Sequence, residues 1–218
     1  MKNHFNFFTR LNLTELLGKK ARNLGDFFEL LKTVPGSSIY YHTHRFLQQH
    51  HFLSPEPPND FAFWISNVLQ EDTLGEMLAS VDIVQFKKIS ELRARFVKII
   101  EGFLKEGKAT NFAPPGEEFH FMKAVTFVIP TGYSASNLEE FYEIMEHVTI
   151  HSIYYHMFEA RLRLEKGDND FSNWLENELG EHELALKISK LDPYTQTLDG
   201  LRRKIICLLG DKLNARNK

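Results

Sequence analysis

The sequence predicts an α+β protein, mostly helical, built as a tandem duplication of a strand-then-helices unit whose copies are related by a pseudo-twofold axis. Three observations lead there. The string Ser38-Ile39-Tyr40-Tyr41-His42 recurs 114 residues later as Ser152-Ile153-Tyr154-Tyr155-His156, and a repeat on this scale has to be recognised before any other pattern is read. At that offset, ten of the twenty positions in 23–42 are identical to those in 137–156, where typical residue frequencies give about one by chance. A second block, Asn59-Asp60-Phe61 with Trp64, Asn67 and Leu69, matches Asn169-Asp170-Phe171 with Trp174, Asn177 and Leu179 at an offset of 110.

The four residues lost between the two offsets fit the loop Ser54-Pro55-Glu56-Pro57-Pro58, whose prolines stop a helix. Leu92-Arg93 then faces Leu201-Arg202. The first copy therefore covers residues 1–105 and the second 119–218, with 106–118 as a linker containing Gly107 and Pro114-Pro115-Gly116.

Each copy opens on apolar alternation: Phe5, Phe7, Leu11 and Leu13 in the first, Phe119, Phe121 and Val125–Ile129 in the second. Period-two patterning reads as strand, with Gly18 and Gly132 as the strand ends. Asn23 and Asn137 stand before helical periodicity as N-caps, and those helices run to about Thr33 and Val148. The Tyr-Tyr-His helix follows, then helices over Phe61–Gln70 and Phe171–Leu179. Asp82 with Gln85 resembles a capping box, and Asp192-Pro193 is a cap followed by proline at the first helical position. Each opens a last helix ending near Leu104 or Leu213. Because one hairpin cannot stand alone, the two copies are expected to pair their strands in one compact domain.

Composition excludes several function classes. The formal charge is −3 and the pI about 6.4, which leaves no electrostatic footprint for nucleic acid. Arg202, Arg203 and Lys204 with Lys212, Arg216 and Lys218, on a C-terminal helix and its tail, read as a solvated helix face. The one cysteine, Cys207, lies in the apolar run 205–209 and is expected buried, as a small hydrophobe. One cysteine suits a reducing compartment. Neither an uninterrupted apolar leader nor a membrane-spanning run is visible, so the expected location is the cytoplasm, away from membranes.

The candidate site residues come from the matched motifs. Ile39, His42, Phe46, His50 and Leu53 share one helical seam, as do Ile153, His156, Ala160 and Leu164. His42 and His156 thus sit among apolar residues, either as core histidines with both ring nitrogens hydrogen-bonded or as ligand-binding groups. A metal site is not expected, because His42 and His44 diverge and His44 and His51 are two turns apart. His44 faces Phe158 and His50 faces Leu164 in the other copy, so these two would serve only an asymmetric site. Tyr40, Tyr41, Tyr154 and Tyr155 would either pack in the core or line a pocket for a sugar or other polar ring. Arg45 and Glu159 carry opposite charges at matched positions and are expected to pair across the pseudo-twofold axis. Asn59-Asp60 and Asn169-Asp170 read as helix caps; as paired carboxylates they would suit glycoside hydrolysis. No phosphate loop, nucleophile elbow or cysteine metal pattern occurs, and no cofactor is indicated.

The strings Tyr40–His50, Leu53–Phe61, Phe119–Lys123 and Phe158–Leu164 resemble an uncharacterised bacterial and archaeal protein family, over nearly the whole chain. The resemblance implies a link to glycosyltransferases and carbohydrate metabolism, and it assigns no catalytic residue. The leading expectation is a non-catalytic accessory module that binds a small polar ligand or a partner enzyme, such as a glycosyltransferase, where the copies meet. The alternatives are an enzyme using His42, His44 or His51 with Asp60 by acid–base or metal chemistry, and a structural, oligomer-forming protein.

Overall fold

The structure, a computed structural model, describes residues 3–48, 59–107, 111–160, 169–191 and 196–216, without the side chains of 45–48. It is α+β and dominated by helix, with one antiparallel sheet of two strands among the described residues. The strands are β1 (Phe5–Ala21) and β2 (Phe119–Ala135), and they pair with each other. After β1 come α1 (Leu24–Thr33), α2 (Gly36–Gln48), α3 (Asp60–Asn67), α4 (Asp72–Ala79), a 3₁₀ turn (Ile83–Gln85) and α5 (Ile89–Lys105). After β2 come α6 (Leu138–His147), α7 (Ile150–Tyr154), a π-helical stretch (Tyr155–Glu159), α8 (Asp170–Asn177), α9 (His182–Ser189) and α10 (Leu198–Arg216).

Asparagine side chains start four of these helices, as the sequence requires. Asn23 accepts from Asp26 N at 2.8 Å and Asn137 from Glu140 N at 2.9 Å. Asn59 accepts from Ala62 N and Asn169 from Ser172 N, each at 2.8 Å. A cap of this kind contributes about 1 kcal/mol.

Four expectations are corrected. Gly18 and Gly132 do not end the strands; both lie inside them at φ +68° and +82°, the left-handed conformation that glycine gives a β-bulge. Asp82 caps the 3₁₀ turn through Val84 N at 3.2 Å, and α5 starts only at Ile89. α4 and α9 occupy stretches where no element was expected. Cys207 is exposed, because α10 turns Ile205 and Leu209 inward instead. Asp192, Pro193 and the loop Ser54–Pro58 lie outside the described residues.

The chain divides into two compact units whose boundary cuts both strands. The α1–α5 unit takes Asn12–Gln49, Ser54–Val125 and so the beginning of β2. The α6–α10 unit takes Met1–Leu11, the beginning of β1, and Thr126–Lys218. The helices of each half are therefore completed by phenylalanines from the other half's strand. In the α1–α5 unit, Phe119 and Phe121 stand 5.2 and 5.5 Å from Phe27, ring centre to ring centre, beside Phe61 and Trp64. In the α6–α10 unit, Phe5 and Phe7 stand 5.4 and 5.3 Å from Phe141, beside Phe171 and Trp174. All these rings are buried, and each contributes roughly 1.5–3 kcal/mol through the area it removes from water.

Candidate functional site

The two Tyr-Tyr-His stretches hold the strand ends against the helices. His42, on α2, is buried; its Nε2 accepts the main-chain N–H of Met122 on β2 at 2.9 Å. A ring nitrogen that accepts carries no proton, so the proton sits on Nδ1, which donates to Asp60 Oδ2 at 2.8 Å. His156 repeats the arrangement at its matched position, accepting from Phe8 N at 2.9 Å and donating to Asp170 Oδ2 at 2.7 Å. The capping asparagines Asn59 and Asn169 set each aspartate on the first turn of its helix. A neutral imidazole with both nitrogens engaged has no lone pair for a substrate proton or a metal ion. Among the described residues no group of three or more His, Cys, Asp or Glu is placed to hold a metal.

The tyrosines divide into two roles. Tyr40 is buried and stacks on His44, ring centres 4.7 Å apart and 14° from parallel, while Thr43 Oγ1 lies 2.8 Å from His44 Nδ1. Tyr154 is buried under the Arg10 guanidinium, 4.7 Å from its ring centre. Tyr41 and Tyr155 each stand edge-on to the adjacent histidine at 4.9 Å. Glu159 pairs with Arg10 at 2.6 Å, a partner the sequence reading did not foresee. The side chain of Arg45, and all of His50 and His51, lie outside the described residues.

Three of the candidates, Tyr155, His156 and Asp170, come together in the wall of a groove of about 490 Å³ in the α6–α10 unit. Its rim is polar: Asn3, Asn6, Asn173, Asn177 and Glu178. Asn3 is pinned from both sides, its carbonyl accepting Trp174 Nε1 at 2.8 Å and its main-chain and side-chain N–H groups donating to Glu178 at 2.9 and 3.0 Å. Those donors, the main-chain N–H first, hold the Glu178 carboxyl below its ordinary pKa. Sequence reasoning missed this rim. The available signal was the matched block 59–69 and 169–179, in which two of the differing positions, Asn173 and Glu178, join the identical Asp170, Trp174 and Asn177 in lining the groove.

No helix among the described residues is long and apolar enough to cross a membrane. No curated protein matches the chain in sequence. The chain is similar to a solved structure described as OrfY from Thermoproteus tenax, with 27% identity and a TM-score of 0.81 over 96% of this chain and 95% of that one. A family model described as a family of unknown function, DUF5752, matches residues 2–210. The chain, in which the matched Tyr-Tyr-His motifs fix both strand ends, belongs to that family.

Proposed function

We propose that this protein is a non-catalytic accessory module that binds a small polar ligand or a partner enzyme, of the glycosyltransferase kind that the sequence resemblance implies. One observation carries the reading: the two histidines that dominate the sequence motifs have both ring nitrogens engaged within the fold. Asp60 and Asp170 each accept from the histidine beside them, which counts against an acid–base role for the His42–Asp60 pair. The same reading takes the chain as a tandem duplication. Matched caps (Asn23 and Asn137, Asn59 and Asn169) and matched His–Asp pairs support it.

The partner half of the reading has its own support. Phe127, Val128 and Ile129 are consecutive on β2 and 48%, 48% and 43% exposed. Consecutive strand residues point to opposite faces, so apolar surface shows on both, and exposed apolar surface of this kind marks interaction sites. A protein that merely assembles with itself would show a mass that rises with concentration.

The test is metal content by elemental mass spectrometry on tag-free protein, followed by assays for turnover of sugars and sugar nucleotides. Metal far below stoichiometry and no turnover are expected. Near-stoichiometric metal, or turnover that disappears in His42→Gln, would put the enzyme reading in its place.

A further inference from the structure

We propose that the groove of the α6–α10 unit binds a neutral, polyhydroxylated small molecule, a sugar or polyol. The inference rests on the binding-module reading and adds to it a place and a ligand chemistry. The groove volume of about 490 Å³ falls in the range of small-molecule sites. Its amides supply both kinds of hydrogen-bonding atom. Asn177 Nδ2 donates to Asn173 O and Oδ1, leaving Asn177 Oδ1 as an acceptor and Asn173 Nδ2 as a donor. Asn3 keeps its Oδ1, and the exposed Asn6 keeps its whole amide. A hydroxyl group donates and accepts at once, so a rim that mixes donors with acceptors suits a ligand made of hydroxyls.

Charge narrows the class. Among the described residues lining the groove there is no lysine or arginine, whereas Asp170 and Glu178 are there. Phosphate recognition relies on Arg or Lys, and these carboxylates repel an anion.

Two further observations point to this unit rather than the other. Here the Tyr-Tyr-His stretch passes into a π-helical turn at Tyr155–Glu159, while its match in α2 stays α-helical through Gln48; π-turns gather at functional sites. Two rim positions also differ where the scaffold does not. In the matched block, Asn173 corresponds to Phe63 and Glu178 to Val68, yet Trp64 Nε1 still donates to the carbonyl of Glu117 at 2.8 Å, as Trp174 does to that of Asn3. The same frame thus accepts apolar residues at the positions that are polar here, and Phe63 is 46% exposed.

That contrast supplies the variant. The probes are glucose and maltose as neutral ligands and glucose 6-phosphate as the anionic one, titrated by calorimetry into the full chain. At least one neutral probe should bind, with glucose 6-phosphate about tenfold weaker than glucose or worse. The double variant Asn173→Phe/Glu178→Val should lose about tenfold or more, a change equivalent to about 1.4 kcal/mol, and keep its circular dichroism. If that variant fails to fold, Asn6→Ala, an exposed position outside every helix, should weaken binding by itself. Equal or tighter binding of glucose 6-phosphate, no binding of either neutral probe, or unchanged affinity in the folded variants overturns the inference. Sugar binding that ignores the variants defeats this groove and leaves the binding-module reading standing. Turnover of a probe defeats that reading instead.

Discussion

Arg93 reaches from α5 to the end of α1, where its guanidinium donates to Lys32 O at 3.1 Å and Val34 O at 2.6 Å. The last carbonyls of a helix have no partner within it, and a charged donor there contributes roughly 1.5–3 kcal/mol. Arg202 does the same for Val148 O at 3.0 Å, at the end of α6. Arg93→Ala is therefore expected to lower unfolding free energy by roughly 1.5–3 kcal/mol in urea titrations, and Arg93→Lys to recover only part of it, since an ammonium lacks the planar fork. An Arg93→Ala midpoint equal to that of the parent protein sinks this assignment. The sequence made both arginines visible as a matched Leu-Arg pair. It did not show their task, because the carbonyls they hold lie 59 and 61 residues away from Arg93 and 54 from Arg202. The histidines were more legible: their seam placed them among apolar residues, and a buried imidazole requires partners.

Between elements, α9 and α10 are joined through one buried carboxylate. Glu181 precedes α9 and accepts from Lys212 at 2.9 Å and from Arg216, both in the last turns of α10. Burial pushes its pKa up, but the hydrogen bonds and charges of Lys212 and Arg216 outweigh that and hold it below the ordinary 4.5. A carboxyl lowered in the folded state contributes its stability in full above the unfolded value and loses it as pH falls through the folded one. The thermal midpoint should thus drop on acidification below about pH 4.5, and the drop should be smaller in Glu181→Gln. Parallel pH profiles for the two proteins would exclude this role. α9 itself was illegible in sequence, as was α4. Each has eight residues, about two turns, too few for a 3.6-residue period to repeat, and neither Glu71 nor Glu181 makes a side-chain cap bond that would mark the start.

Across the whole molecule, strand ownership is the feature that repeat matching left open. Phe5 and Phe119 are the same residue at matched positions, so the pattern fits equally well whichever set of helices each strand serves. In the structure Phe5 and Phe7 serve α6–α10, and Phe119 and Phe121 serve α1–α5. Removing residues 1–8 should therefore abolish hydrogen-exchange protection in Leu138–His147 and Asp170–Asn177, while Asp60–Asn67 stays protected. Loss of protection first in Asp60–Asn67 would contradict the assignment. A fragment ending before Phe119 should likewise leave α1–α5 without a complete core.

The arrangement also has a consequence for how the protein is made. The bond from Trp174 to the carbonyl of Asn3 joins residues 171 apart. At synthesis rates of about 5–20 residues per second, Asn3 precedes Trp174 out of the ribosome by roughly ten to thirty seconds. Throughout that interval Phe5, Phe7 and Phe8 are aromatic residues on a nascent chain whose docking partner has not been translated, which makes the start of β1 a segment for a chaperone to shield.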